Sequence, residues 1–172
     1  ASLLHPHMQG LAESRPSRIV ERYLAAGKTY RSNHTGNYWD AVRDEERTSD
    51  RYLFGDEIFW SAHAVPVGER EVRGILPIAS IDEFECYIDL LARGILEVLS
   101  LYRRLGTHAF NLSLFFDKAG EDNGFCAFCS LISRINPNPA SMSDSAFMER
   151  LHLDPVIMTL PEDLGNFYRK EK

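Results

Sequence analysis

The chain has 172 residues, 44% of them apolar, enough to bury one core of its own. Acidic residues outnumber basic ones, 25 to 19, which removes a broad electrostatic case for nucleic acid, and no apolar run nears the ~18–20 residues that span a bilayer. Three cysteines (Cys86, Cys126, Cys129) cannot all pair, and residues 1–15 lack the basic start and cleavage site of a leader, so a soluble cytoplasmic protein is expected.

Residues 2–9 read as the tail of a strand that ends near Gly10. Ile19, Val20, Tyr23 and Leu24 have helical spacing and predict a helix over 17–26, with Gly27 as its stop and 28–37 as a polar turn. A second helix is predicted from Tyr38 to about Arg47. The period then changes to short β-like runs at 51–54, 58–65 and 71–78, separated by Gly55-Asp56 and Pro66-Val67-Gly68. Ser80-Ile81-Asp82-Glu83 has the form of a capping box. The helix behind it carries Phe84, Tyr87, Ile88, Leu91, Ile95, Val98 and Tyr102 on one stripe and stops at Gly106. Strands follow at 109–116 and 125–135, joined by a polar turn, then a short helix over 145–151, an extended run over 155–160 and a last helix begun by Pro161-Glu162-Asp163. Neighbouring strands with one long helix between them predict an α+β fold with a mainly antiparallel sheet.

Chemistry concentrates in His5-Pro6-His7-Met8-Gln9. On an extended strand His5, His7 and Gln9 form one row, because alternate residues share a face. Pro6 stiffens that row by fixing its own φ and pushing His5 toward extended geometry. A neutral imidazole can attack phosphorus or bind a metal, and a nearby amide can hold a phosphoryl oxygen.

The segment Ala1-Ser2-Leu3-Leu4-His5-Pro6-His7-Met8-Gln9 resembles the active-site segment of the galactose-1-phosphate uridylyltransferases, histidine-triad proteins in which it typically reads C-S-N-P-H-P-H-G-Q. Residues 39–54, 58–76, 80–106, Phe110-Asn111-Leu112-Ser113 and Ser145-Ala146-Phe147-Met148-Glu149 resemble later parts of that family, so the likeness runs along nearly the whole chain; only HPHxQ is a specific motif. The family carries it about midway, which implies that this chain corresponds to a C-terminal half. Residues 1–50 would then be the catalytic-strand remnant and connecting helices of a first histidine-triad domain, and 51–172 a second histidine-triad-like domain.

The resemblance implies a role in galactose metabolism. His7 would be the nucleophile that accepts a nucleotidyl group from a nucleotide sugar and passes it to a sugar 1-phosphate. Gln9 would bond the transferring phosphoryl group, Ser2 would contact the phosphates, and Phe147, Met148 and Glu149 would serve the site of a partner chain in a homodimer. His5 matches a histidine that helps bind structural zinc in some members, with its other ligands outside this chain; no metal is expected of these residues alone. Met8 departs from the family's glycine, and Ala1 and Leu3 from its polar positions. The family's second metal site aligns with Phe128, Ser130 and Asp117, which predicts no iron there. Alternatives are a nucleotide-sugar or dinucleotide phosphorylase, and a non-catalytic binding or dimerisation half.

The remaining signals read as structural. Cys126 and Cys129 of the C-x-x-C face opposite sides of a strand, which excludes joint chelation and predicts buried thiols. His63 is expected within a strand, and Asp44-Glu45-Glu46 on a solvated helix face.

Overall fold

A computed structural model of the chain describes Gly10 and residues 12–121, 123–134 and 155–170. Its centre is one five-stranded antiparallel sheet built from β1 (Tyr52–Phe54), β2 (Phe59–Ala62), β3 (Val72–Ile75), β4 (Phe110–Phe115) and β5 (Phe128–Ser133), in the order β1-β2-β3-β5-β4. Helices α1 (Arg18–Asn33) and α2 (Tyr38–Arg47) lie on one face; α3 (Ile88–Arg104) and α4 (Pro161–Lys170) pack into the core on the other. This is the expected α+β class: a mainly antiparallel sheet with one long packed helix.

Strand alternation sorts the side chains between two cores. Trp60, Ala62, Val72, Cys129 and Leu131 face α3 and α4, joining Leu91, Val98, Leu101, Leu164 and Tyr168. Phe59, Ile75 and Phe128 face the other way and meet Val20 and Trp39 of α1 and α2. Cys129 belongs to the first core while Cys126 packs against the second, so the two sulfurs of C-x-x-C do lie on opposite sides. Burial pushes the Cys129 thiol up to about 12.

Trp60 is the keystone of the α3 side, 1% exposed. Its cross-strand partner is Gly74, where a Cβ would stand 2.8 Å from the indole, and on α3 a Cβ at Gly94 would stand 2.4 Å from it. Two missing side chains thus let one large ring fill the space between sheet and helix.

Several boundaries differ from the sequence expectation. Helix α1 does not stop at Gly27 but runs on to Asn33, because Gly27 takes no left-handed φ there and Tyr30 extends the packed stripe, stacking on His34 and meeting Tyr38 edge-on. Glycine weakens a helix interior by about 1 kcal/mol without ending it. The Ser80 hydroxyl accepts from Asp82 N, and Glu83 takes no part in a capping box; what it opens is a 3-10 helix (Ile81–Tyr87) ahead of α3. That change of pitch rotates the predicted stripe and leaves Ile88 47% exposed. Nor does Glu46 face solvent: it is 8% exposed and paired with Arg51 at 2.9 Å.

Candidate functional site

All the residues singled out by the motif (Ser2, His5, His7, Gln9, Phe147, Met148 and Glu149) fall outside the described residues, as do the predicted strand over 2–9 and helix over 145–151. The described residues hold a polar cluster of their own on the sheet. On its α1/α2 side the sheet face changes character along the strands. Phe59, Ile75, Phe128 and Phe115 form an aromatic and aliphatic row, and the next row in register is Ser61, Arg73, Ser130 and Ser113. The first row is covered by α1 and α2; the second ends at β4, where Asn111 and Ser113 are exposed.

The polar row is organised by a run that sequence reasoning passed over, Glu69-Arg70-Glu71-Val72-Arg73. Since β3 is central, charges here cannot reach water from either edge and must find partners. Glu71 Oε1 accepts from Arg73 Nε at 2.7 Å and from the Ser130 hydroxyl at 2.8 Å, while Oε2 accepts from Val67 N at 2.6 Å. Arg73 donates its other arm to the Tyr23 hydroxyl of α1. Its guanidinium lies 5.3 Å from the ring centroid of Tyr23 and 4.9 Å from that of Phe128. The side chains of Arg73 and Glu71 are 5% and 0% exposed. A readable signal existed: opposite charges two apart on a strand share a face and can pair.

His63 is not in a strand but just past β2, where its N–H extends the ladder by donating to Glu71 O at 2.9 Å. Burial, then the nearby Arg73 charge, hold its imidazole down at about 4, so the ring is neutral near pH 7. The cluster therefore contains a spent ion pair, a neutral imidazole and two satisfied hydroxyls. Such a set fixes geometry, its charges and hydroxyls already engaged with one another.

Glu69 and Arg70 do the same for the extended run over 155–160, which follows Phe147–Glu149 in sequence. The Glu69 carboxylate accepts from Met158 N at 2.7 Å, from Thr159 N at 3.3 Å and from the Thr159 hydroxyl. Arg70 donates to Thr159 Oγ1 at 3.2 Å and to Thr107 Oγ1 at 2.8 Å. Its own φ of 54° is a left-handed conformation, and its carbonyl accepts from the buried Tyr102 hydroxyl at 2.6 Å.

The positions that align with a second metal site do not suit one. Phe128 is fully buried and stacked on Phe115, Ser130 is committed to Glu71, and Asp117 holds Asn123 and the N–H of Lys118. The positive charge beside them is the Arg73 guanidinium. Among the described residues no three His, Cys, Asp or Glu side chains converge as a metal site.

No family profile matches the chain, and a search of curated proteins finds no match. Solved structures do match. One described as "Structure of uridylyltransferase" superposes with a TM-score of 0.72 at 12% identity, over 88% of this chain and 50% of that one. Another, described as a uridylyltransferase mutant, gives 0.67 at 15% identity, over 88% of this chain and 52% of that one. The chain thus has a uridylyltransferase-like fold and spans about half the length of the structures it resembles. No helix among the described residues is long and apolar enough to cross a membrane.

Proposed function

We propose that the protein is a nucleotidyltransferase that moves a UMP group between a UDP-sugar and a hexose 1-phosphate through a covalent intermediate on His7. The observation that carries the reading is a coincidence of two independent signals: an HPHxQ-type segment, His5-Pro6-His7-Met8-Gln9, in a chain whose fold superposes on structures described as uridylyltransferases. A ring nitrogen of His7 attacks the α-phosphorus, the bond to the sugar 1-phosphate breaks, and a phosphoramidate forms. A hexose 1-phosphate oxygen then attacks the same phosphorus and frees His7, giving ping-pong kinetics. Gln9 donates to the charged phosphoryl oxygens as they develop. Ser2 contacts the phosphates, and Phe147, Met148 and Glu149 reach the sugar phosphate across a homodimer. Residues 1–50 and 51–172 are the two pieces of histidine-triad architecture in this reading. Zinc at His5 needs ligands from outside this chain, and no step depends on it.

Incubating the whole protein with radioactive UDP-glucose is expected to leave an acid-labile label that His7→Asn abolishes; label retained in that variant would overturn the mechanism. Product release with hexose 1-phosphate but not with inorganic phosphate separates the transferase from a phosphorylase. Because the chain spans half of its structural neighbours, a second reading is a binding and dimerisation half without activity of its own. Light scattering and calorimetry on the 172 residues test it: a monomer that binds no UDP-sugar removes this second reading for the isolated chain.

A further inference from the structure

We infer that β4 pairs antiparallel with β4 of a second copy of this chain, on a twofold axis at Leu112, so that two sheets join into one; this names the surface of the homodimer in the reading above. The two edges of the sheet are built differently. β1 is three residues long, its register slips against β2, and its Tyr52 carbonyl accepts from Arg169 of α4 at 3.2 Å. A short, bulged, covered edge does not recruit another strand. Among the described residues β4 has none of these protections. It runs six residues in unbroken register with β5, and residues 109–116 hold no charge and no proline. Its first four residues are exposed, Phe110 and Leu112 among them.

Hydrogen-bond alternation fixes which backbone groups point outward. Arg134 N donates to Ala109 O at 2.8 Å, so Asn111, Ser113 and Phe115 are the β4 residues bonded to β5. Phe110, Leu112 and Leu114 therefore turn their N–H and C=O groups away from the sheet, and an antiparallel strand must meet them with residues of the same phase. A second copy does so about Leu112. Leu112 then faces the partner's Leu112, Phe110 faces the partner's Leu114, and Asn111 faces the partner's Ser113. Leu114 packs on the α3 side, so the leucines and Phe110 make one apolar row on that face, while the exposed Asn111 and Ser113 can hydrogen-bond on the other. An axis at Ser113 would instead set Asn111 against the partner's Phe115. The strand is thus complementary to itself, with no like charges to hold two copies apart.

Multi-angle light scattering on the full chain is expected to give a dimer with a Kd below about 10 µM. Leu112→Lys sets like charges opposite each other on the axis and is expected to weaken it at least about a hundredfold, with the circular dichroism spectrum unchanged. Leu96→Lys, at an exposed apolar position on α3, is expected to leave the dimer intact. Cross-linking in a Cys86→Ser background reads the register without depending on the lysine variant. Leu112→Cys is expected to form a covalent dimer on mild oxidation, since residues opposed on the axis lie about 5.5 Å apart at Cα. Ser113→Cys, separated from its own copy by a diagonal of about 7–8 Å, is expected not to. A monomer, a dimer that Leu112→Lys leaves intact or Leu96→Lys splits as well, or failure of Leu112→Cys to link faster than Ser113→Cys overturns the inference. A dimer that survives Leu112→Lys while His7 still takes label removes this surface and leaves the proposed function standing.

Discussion

Glu71 is the single side chain whose removal tests the polar cluster on the sheet most directly. Its carboxylate is fully buried and takes three hydrogen bonds, from Arg73, Ser130 and Val67 N. In Glu71→Leu the Arg73 guanidinium stays buried with the Tyr23 hydroxyl but no counter-charge, a loss of the class that costs about 3–5 kcal/mol. Domains of this kind hold only about 5–15 kcal/mol in total, so the variant is expected to unfold at a much lower urea concentration. The companion Glu71→Leu/Arg73→Met removes both charges and leaves the uncharged Ser130 hydroxyl, Val67 N–H and Tyr23 hydroxyl without these partners, about 1–3 kcal/mol for each that stays dry. The double variant should therefore be more stable than the single one. Urea unfolding followed by circular dichroism reads both. A single-variant loss under about 1 kcal/mol, or a double variant at least as unstable as the single, would refute the account.

His63 gives a pH dependence with a definite sign. Its folded pKa of about 4 lies below the ordinary 6.5, so as pH falls from 6.5 the unfolded chain takes up a proton that the folded chain refuses until about pH 4. Stability contributed by the neutral ring is complete above pH 6.5 and falls by about 1.4 kcal/mol per unit across that window. Urea midpoints between pH 5 and 6.5 should show a slope that His63→Gln flattens; an unchanged slope would place the titrating group elsewhere. Gly94→Ala gains helix propensity yet sets a Cβ 2.4–2.6 Å from Trp60 atoms whose ring is already backed by Gly74. The expected net loss is about 1–3 kcal/mol, read as a lowered melting temperature, and a neutral result would mean that the indole is not wedged there.

Periodicity was enough for the strands around Trp60 and Phe128 and for the stripe of Leu91, Val98 and Tyr102, because burial on two faces imposes spacing that tertiary context cannot override. It was not enough at Gly27, where packing by Tyr30 outweighs a residue's intrinsic cost, nor at Ile88, where a 3-10 turn shifts the phase. The sequence predicts a solvated Glu46, since nothing local reveals Arg51 five residues on. For the same reason the Glu71–Arg73 pair was missed: hydropathy counts each charge as exposed, while strand geometry makes them partners. The motif around His7 is legible in the sequence as chemistry, and its residues lie outside the described ones. What spacing cannot supply is the set of groups that faces it.

Helix α4 carries a consequence of another kind. Leu164 and Tyr168 are each 1% exposed, a Cβ at Gly165 would stand 1.9 Å from the carbonyl of Asp50, and Arg51 reaches Glu162 at 2.6 Å. On the ribosome this helix emerges after every strand of the sheet, so the β1–β2 edge waits without its cover while the rest is made. The sheet's own closure is similarly delayed, since β5 enters between β3 and β4 only after both exist. Contacts spanning more than a hundred residues, such as Arg51 to Glu162, are slow to form and leave apolar surface open meanwhile. Closure of this sheet thus waits for Pro161–Lys170, and a nascent chain stalled before Pro161 is the form that chaperones would meet.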